Sequence, residues 1–578
     1  MIDQMKLTIF LLIVISAFVL PVASYGQGST LISGKIIDKK MLKGENHLYT
    51  ISLKKGEYAE CVVMQKGVDL AIDVIDPSGG KMRTLDSPNG TEGPEPISIE
   101  AVQTGKYELH IYPLVEGQTG MADSIKTKWS EENQGDYVIT DFIKLSPSEY
   151  KQKLAKIQED KNVFQQWINN NVNELKTVDA GNGFEDLEPF KSLLKDVRVV
   201  ALGEASHGTS EFFRMKHRLL EFLVKEMGFT SFYIEASMTR CRYVNDYVLN
   251  GIGDPDTATA IQGFPCWRVE EVKNMIGWMR QYNASVPDEK KVKFFGCDLQ
   301  INDQGWKELK DFYRKVNIQK LVELDSLEIH ILKAVKLAVE SWPRLTDEQR
   351  AFLKAAYLQS LVMMDDIVVN EGKYEFLTGK NIYDRNLMNI KLILHELETR
   401  QDIGGGIRDY YMAENIFYLL NQEKPNAKVV LWAHNSHIAK DSIWSVSKMG
   451  NHLANILKAQ FYAIGFEFYS GSFQTRNLDI NNKSQTFDVM TVGTPPVESL
   501  PWYFDKAGKD KFFIDFRNTG ADKIKNFSQP YEMHSFGSMH SAKWSDTLPS
   551  SLANFDGMIY IKESTAAKNF TKVDIKSR

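Results

Sequence analysis

The amino-acid sequence predicts an α/β protein preceded by a separate all-β sandwich. The α/β part is expected to hold a mostly parallel sheet with flanking helices and a helical insertion. Three observations carry this. Between about 28 and 145, short segments alternate apolar and polar residues, the period of strands with one solvated face. From about 181 onward, short continuous apolar runs are separated by amphipathic helical stretches, as in strands covered on both faces. Between about 305 and 425 helical periodicity runs on without a strand pattern.

Taken in order, the chain opens with Lys6 followed by LTIFLLIVISAFVLPVAS, an apolar segment of signal-peptide type. A signal peptide over 1–26 is expected, with cleavage after Ser24 or Gly26 and export to the periplasm or beyond. A retained anchor is the alternative reading. No later run is long enough to span a bilayer, so no stable membrane insertion is expected after cleavage. HLYTISLKKGEYAECVVM, DLAIDVIDPSGGKMRTL and GKYELHIYPL then read as strands, the second turning at Pro-Ser-Gly-Gly. This 28–145 segment resembles the pre-peptidase sandwiches of secreted bacterial hydrolases, and an accessory role is expected of it. SPSEYKQKLAKIQEDKNVFQQWINNNVNEL has helical spacing behind a capping serine, so 146–180 is read as a helical linker.

The remaining 181–578 is expected to be the α/β domain. VRVVAL (197–202), TSFYIE (230–235), VKFFGC (292–297), KVVLWA (428–433), FYAIGF (461–466), KFFIDF (511–516) and GMIYI (557–561) are its strand candidates. Residues 210–227 place Phe212, Phe213, Leu219, Leu220, Leu223 and Met227 on one helical side and stop at Gly228. DEQRAFLKAAYLQSLVMM and YDRNLMNIKLILHELE fill the expected insertion, about 305–425.

Composition narrows the partners. Of 578 residues, 43% are hydrophobic and 25% charged, enough for large cores, and the net charge is −6. No basic run supports nucleic-acid binding. Cys61, Cys241, Cys266 and Cys297 show no Cys-x-x-Cys spacing. Free buried thiols are expected, although an exported chain leaves a Cys241–Cys266 pair open.

The residues just past the strands are informative, because parallel sheets bind ligands at the carboxyl ends of their strands. VRVVAL is followed by Glu204 and His207. TSFYIE ends in Glu235, Asp298 comes directly after VKFFGC, and His434 and His437 come after KVVLWA in AHNSH. One such residue is ordinarily a cap or a solvated side chain. Four strand ends that each deliver an acid or a histidine point to a shared polar site. A Gly-x-Ser-x-Gly elbow, a P-loop and a dinucleotide fingerprint are all missing from the sequence. Two chemistries remain: water activated by a histidine that carboxylates make basic, or a divalent metal held by histidines and carboxylates.

GEASHGTSEFFRMKHRLLEFLVKEMGFTSFYIEAS resembles the erythromycin esterase family. So do WRVEEVKNMIGWMRQYN (267–283), KVKFFGCDLQ, RDYYMAENI (408–416), KVVLWAHNSHIAK and MGNHL. The likeness covers about 180–565. It implies hydrolysis of an ester, in the type members a macrolide macrolactone, with antibiotic resistance as its setting. It implies His207 as general base on a water, Glu204 and Glu235 nearby, and His434 and His437 lining the same cleft. It places substrate binding on Lys216, Asp298, Trp267 and Arg408. One position departs. Lys216 stands nine residues after His207, where the studied esterases carry arginine. Lysine keeps the charge but lacks the planar fork, so the likeness carries the reaction class further than the substrate.

The expectation is therefore a small-molecule ester or lactone hydrolase without a cofactor, in which His434, His437 or Lys216 donates to the oxyanion. Two alternatives stand beside it. One is a metal-dependent hydrolase or peptidase, since the wider superfamily is similar to ChaN and Tiki-type proteins. The other is a ligand-binding protein without turnover.

Overall fold

The computed structural model describes residues 29–87, 91–114, 134–341, 345–402, 405–442, 446–479 and 487–570. The expected signal segment, 1–26, lies outside the described residues. The chain divides into two units, Met1–Lys156 and Ile157–Arg578.

Alternation in the first unit becomes two antiparallel-rich sheets. One has the order β1 (Ser29–Thr30), β3 (His47–Leu53), β8 (Gly105–Pro113), β5 (Leu70–Ile75), β6 (Lys81–Leu85). The other runs β2 (Ile37–Met41), β9 (Gly135–Leu145), β4 (Tyr58–Lys66), β7 (Glu92–Glu100). In β4 every second residue is buried, so Ala59, Cys61 and Val63 enter a core shared with Ile51, Ile72, Leu109 and Ile139 from other strands. Period-2 patterning on both sheets is what allows one core between them.

The second unit is built on a sheet of order β10 (Val172–Glu174), β17 (Lys511–Asp515), β21 (Gly557–Ser564), β15 (Phe461–Asn477), β11 (Val199–Leu202), β14 (Val429–Trp432), β12 (Ser231–Ser237), β13 (Lys293–Asp298). From β21 through β13 each neighbouring pair is parallel. β17 runs antiparallel to β21, and β10 antiparallel to β17. KFFIDF is thus an antiparallel strand near the sheet's edge, outside the parallel set. β16 (Asp488–Val492) and β19 (Met539–His540) pair with the long β15, and β18 (Pro530–His534) pairs with β20 (Thr547–Ser551). All four residues of β11 and of β14 are buried, as continuous apolar runs require between two helical layers. The helix Ser210–Met227 buries Phe212, Phe213, Leu219, Leu220 and Leu223 against one face of the sheet and ends at Gly228, whose φ of 72° is open to glycine.

The linker reading of 146–180 is corrected. Pro147–Asn171 is a helix whose far half buries Phe164, Trp167 and Ile168 in the core of the second unit, and Val172–Glu174 then pairs with β17. Each such side chain contributes about 1.5–3 kcal/mol on burial, too much for a tether. The three anchors fall within five residues of a 25-residue, mostly polar helix, so they give little apolar periodicity in sequence. Between β13 and β14 lie Asp303–Val316, Lys320–Ser341, Asp347–Val369, Glu371–Thr378, Lys380–Thr399 and Gly406–Gln422. Most of these helices share a core of their own. Gly406–Gln422 instead places Met412, Ala413, Ile416 and Leu420 against the sheet.

Among the described residues no helix is long and apolar enough to cross a membrane. Cys61, Cys241, Cys266 and Cys297 are free and buried.

Candidate active site

The four strands singled out by the residues just past them are consecutive in the sheet: β11, β14, β12, β13. Their carboxyl ends therefore lie side by side. A cavity of about 320 Å³ opens there, lined by His207, Glu235, Trp267, Arg408, His434 and His437 among others.

Two close approaches shape the first wall. β11 ends at Leu202, and a Cβ on Gly203 would lie 2.2 Å from Asn435 Oδ1. At Gly208 it would lie 1.8 Å from the carbonyl oxygen of Gln474. Only glycine fits at either position, and the tight turn between them carries Glu204 and His207. His207 Nδ1 lies 2.7 Å from Glu204 Oε1. The other oxygen, Oε2, accepts from Lys216 Nζ at 2.7 Å and Trp432 Nε1 at 2.9 Å. Glu204 is thus a filled carboxylate. It fixes the tautomer in which His207 Nδ1 donates, leaving Nε2 as the basic nitrogen. Trp267 meets the His207 ring edge-on, with centroids 5.4 Å apart, and donates its own Nε1 to the Glu235 carbonyl at 2.9 Å.

The second wall is the AHNSH turn. His434 caps the short helix Asn435–Ile438 with its own ring: Nδ1 accepts from the Ser436 amide at 3.2 Å. Nε2 must then carry the proton, and it is buried without a partner among the described residues. Burial, with His207 and His437 nearby, pushes the His434 pKa well below the ordinary histidine value, so the ring is neutral. Its centroid is 5.1 Å from that of His207.

His437 is the opposite case. Burial works against its charge, but Asp409 and Glu235 outweigh it and raise its pKa to about 10. Nδ1 donates to Asp409 Oδ1 at 2.7 Å, and Nε2 lies 3.3 Å from Glu235 Oε1. Arg408 Nη1 is 3.2 Å from the same Nε2. With both ring nitrogens protonated this last contact is no hydrogen bond; it is two cations sharing one carboxylate. Arg408 Nη2 donates to Glu235 Oε1 at 2.9 Å and also to Asp298 Oδ2. Burial opposes the Glu235 charge, but His437, Arg408 and His207 hold its carboxyl well below the usual range. Its Oε2 accepts from the His434 amide at 3.1 Å.

Expectation and structure part at two residues. Lys216 and Asp298, both fully buried, lie behind the cavity wall rather than on it. Lys216 grips Glu204 and sits 4.3 Å over the Trp432 ring, and Asp298 grips Arg408. A substrate or oxyanion role for Lys216 is thereby corrected to a positioning role, and so is substrate contact for Asp298. Burial also lowers the Lys216 pKa to about 8 despite Glu204. Glu204 is likewise enclosed, and Glu235 contacts Arg408, His437 and the His434 amide, so orienting His207 falls to Glu204.

Sequence reasoning missed Asp409, Trp432 and the Ser535–Ser538 stretch on the cavity rim. Asp409 adjoins Arg408 in RDYYMAENI, and Trp432 closes β14, so both were within reach. The rim stretch offers no such signal. Phe536 bridges to Ser206, a pairing formed across more than three hundred residues of chain.

Among the described residues no group of three His, Cys, Asp or Glu side chains is placed to hold a metal ion. Glu204 is filled by three donors, His437 is protonated on both nitrogens, and His434 Nδ1 is occupied by an amide. Cys266, on the wall, has its thiol pKa pushed far up by burial, which makes it a poor ligand or nucleophile.

The comparisons agree with this architecture. The family model described as Erythromycin esterase matches residues 224–564. The chain is 25% identical over 384 residues to erythromycin esterase type II of Escherichia coli, covering 62% of this chain and 90% of that one. A crystal structure of a Bacillus cereus protein, 24% identical, superposes with a TM-score of 0.61 over 71% of this chain and 99% of its own. An erythromycin esterase mutant in its open conformation, 19% identical, gives 0.53 over 68% and 96%. With the family model covering more than half of its length, the chain belongs to the erythromycin esterase family.

Proposed function

We propose that this protein hydrolyses a small-molecule ester or lactone by histidine-activated water, without a metal. The observation that carries the reading is the pairing of His207, oriented by Glu204 at 2.7 Å, with a neutral His434 whose Nε2–H is unpartnered on the same cavity wall. Hydrolysis needs a base and a donor for the oxyanion, and these are one of each.

Water attacks the carbonyl carbon and loses its proton to His207 Nε2, and Glu204 stabilises the imidazolium. The carbonyl oxygen becomes an oxyanion that accepts from His434 Nε2–H. Collapse breaks the carbon–oxygen bond, and the leaving alkoxide takes the proton back from His207. Arg408 and protonated His437 add fixed positive charge beside the cavity. A macrolide lactone is the first substrate to try, because two of the relatives are named erythromycin esterases and the sequence resemblance implies a macrolactone. Export through a signal peptide over 1–26 belongs to the same proposal.

A panel of macrolides, smaller lactones and activated esters tests it, read by mass gain of one water. Wild type is expected to turn over at least one member after exhaustive chelation. His207→Asn is expected to lose roughly a hundred- to ten-thousand-fold in kcat while still binding substrate. Activity abolished by chelation and restored by one divalent ion would overturn the metal-free mechanism. Undiminished turnover in His207→Asn would remove the base.

A further inference from the structure

A second cavity, of about 350 Å³, lies between the helices Asp347–Val369, Lys380–Thr399 and Gly406–Gln422 and shares no residue with the first. We infer that it is a binding site for an organic ammonium with an apolar body, held by a buried unpartnered acceptor, two carboxylates and a tyrosine-rich wall.

The buried polar atoms come first. Asn415 is fully buried, and its Nδ2 donates to the Cys297 carbonyl at 2.9 Å. A carbonyl can only accept, so the amide orientation is fixed and Oδ1 is the remaining atom. Oδ1 has no partner among the described residues, although Asn415 lines the cavity. His395 Nδ1 is also buried without a partner, and its ring stacks on Tyr411 with centroids 3.7 Å apart. Burial lowers the His395 pKa to about 4, so the ring offers a lone pair and no charge. An orphaned buried acceptor is unfavourable unless a donor meets it. The Asn415 oxygen, on a residue lining the cavity beside an unpartnered imidazole nitrogen, calls for a ligand that brings an N–H group.

Charge selects the kind of donor. Glu398 accepts hydrogen bonds from the Tyr411 and Tyr357 hydroxyls, and no Lys or Arg forms an ion pair with it among the described residues. Glu414 lies on the same wall, and Lys391 is the opposing charge. The remaining surface is aromatic and thioether: Tyr357, Tyr411, Tyr418, Met364 and Met388. Aromatic faces with acids behind them favour a cation over a neutral donor. In the first cavity the cations Arg408 and His437 are already paired with Glu235, Asp298 and Asp409.

Occupancy would be felt at the first cavity. Asn415 lies seven residues after Arg408 on one helix, about 10 Å along its axis. Its side chain holds the carbonyl next to Asp298, which grips Arg408.

The test is calorimetric titration of the full chain with phenethylammonium, and with phenethyl alcohol as its uncharged counterpart. The ammonium is expected to bind at least tenfold more tightly than the alcohol. Glu398→Gln and Glu414→Gln should each weaken it about threefold to fivefold, and Lys391→Gln should tighten it by a similar factor. Binding should be unchanged in His207→Asn, which keeps this result separate from the fate of the esterase reading. Equal binding of alcohol and ammonium, three charge variants that all match wild type, or loss of binding in His207→Asn would each overturn the proposal.

Discussion

Two histidines three residues apart, His434 and His437, are driven to opposite protonation states. His434 is buried beside other imidazoles and accepts an amide proton, so it stays neutral. His437 is equally buried but stands between Asp409 and Glu235, and its pKa rises to about 10. Spacing alone could not separate these roles, because the difference lies in Asp409, which arrives from another helix. The split has a consequence for stability. A histidine whose folded pKa is raised stabilises the fold fully below its unfolded value, near 6.5, and that contribution is lost as pH rises through the folded value. Glu235, with its pKa lowered, works in the other direction: its contribution is present above about 4.5 and fades below it. The stability gap between wild type and His437→Gln is therefore expected to be widest near about pH 6 and to narrow steadily toward about pH 10. Urea unfolding at a series of pH values measures it. A gap of the same size at both ends of that range would show that His437 is not an imidazolium in the fold.

At the scale of elements, the strand-to-helix turn from Gly203 to Gly208 is the device that puts Glu204 and His207 at the sheet's edge. Gly208 is held on both sides, with its carbonyl accepting from the Gln474 amide at 3.0 Å and the Ala567 amide at 2.8 Å. A methyl group there would meet backbone at 1.8 Å, and backbone cannot rotate away as a side chain can. Gly208→Ala is expected to destabilise by about 3 kcal/mol and to displace His207, because the site is rigid and already full. Urea midpoints of the two proteins measure this, and equal midpoints would mean that the turn yields. Strands such as β11 and β14 were legible because a short all-apolar run bounded by polar residues has few other uses. The residues after them were legible because a parallel sheet gathers its carboxyl ends. Lys216 was misread for a physical reason. On a helix its charge suggests a cleft, whereas the fold encloses it between Glu204 and the Trp432 ring. Helical periodicity reports which side is apolar and says little about a lone lysine within it. The rim stretch around Phe536 stayed invisible because its position depends on pairing with Ser206, far off in sequence.

Over the whole molecule, each core draws on one unit's own residues. The first core runs from Leu31 to Phe142, and the others begin at Phe164 or later. Every candidate site residue also belongs to the second unit. Where the chain can be divided is therefore set by the helix Pro147–Asn171. Phe164, Trp167 and Ile168 sit in the core beneath Tyr503, Phe516 and Phe527, and Trp167 Nε1 donates to the Thr519 carbonyl at 3.1 Å. After the helix, β10 covers the edge of β17, and Leu175 and Val178 enter the neighbouring core. A chain starting at Gly181 would lose all of these. At about 1.5–3 kcal/mol for each large apolar side chain, the loss is comparable to the roughly 5–15 kcal/mol by which a domain is ordinarily stable. It would also leave β17 as an open edge. A chain starting at Pro147 keeps every one of them. The shorter chain is expected to be insoluble. The longer one is expected to unfold in a single cooperative transition and to retain the turnover of the full chain toward whatever substrate the panel identifies. Soluble expression, thermal unfolding and kcat/KM on the two truncated chains decide the matter. A Gly181 start that folds with an unchanged Tm would return the helix to the role of a tether, and a folded Pro147 chain without activity would give the N-terminal sandwich a part in catalysis.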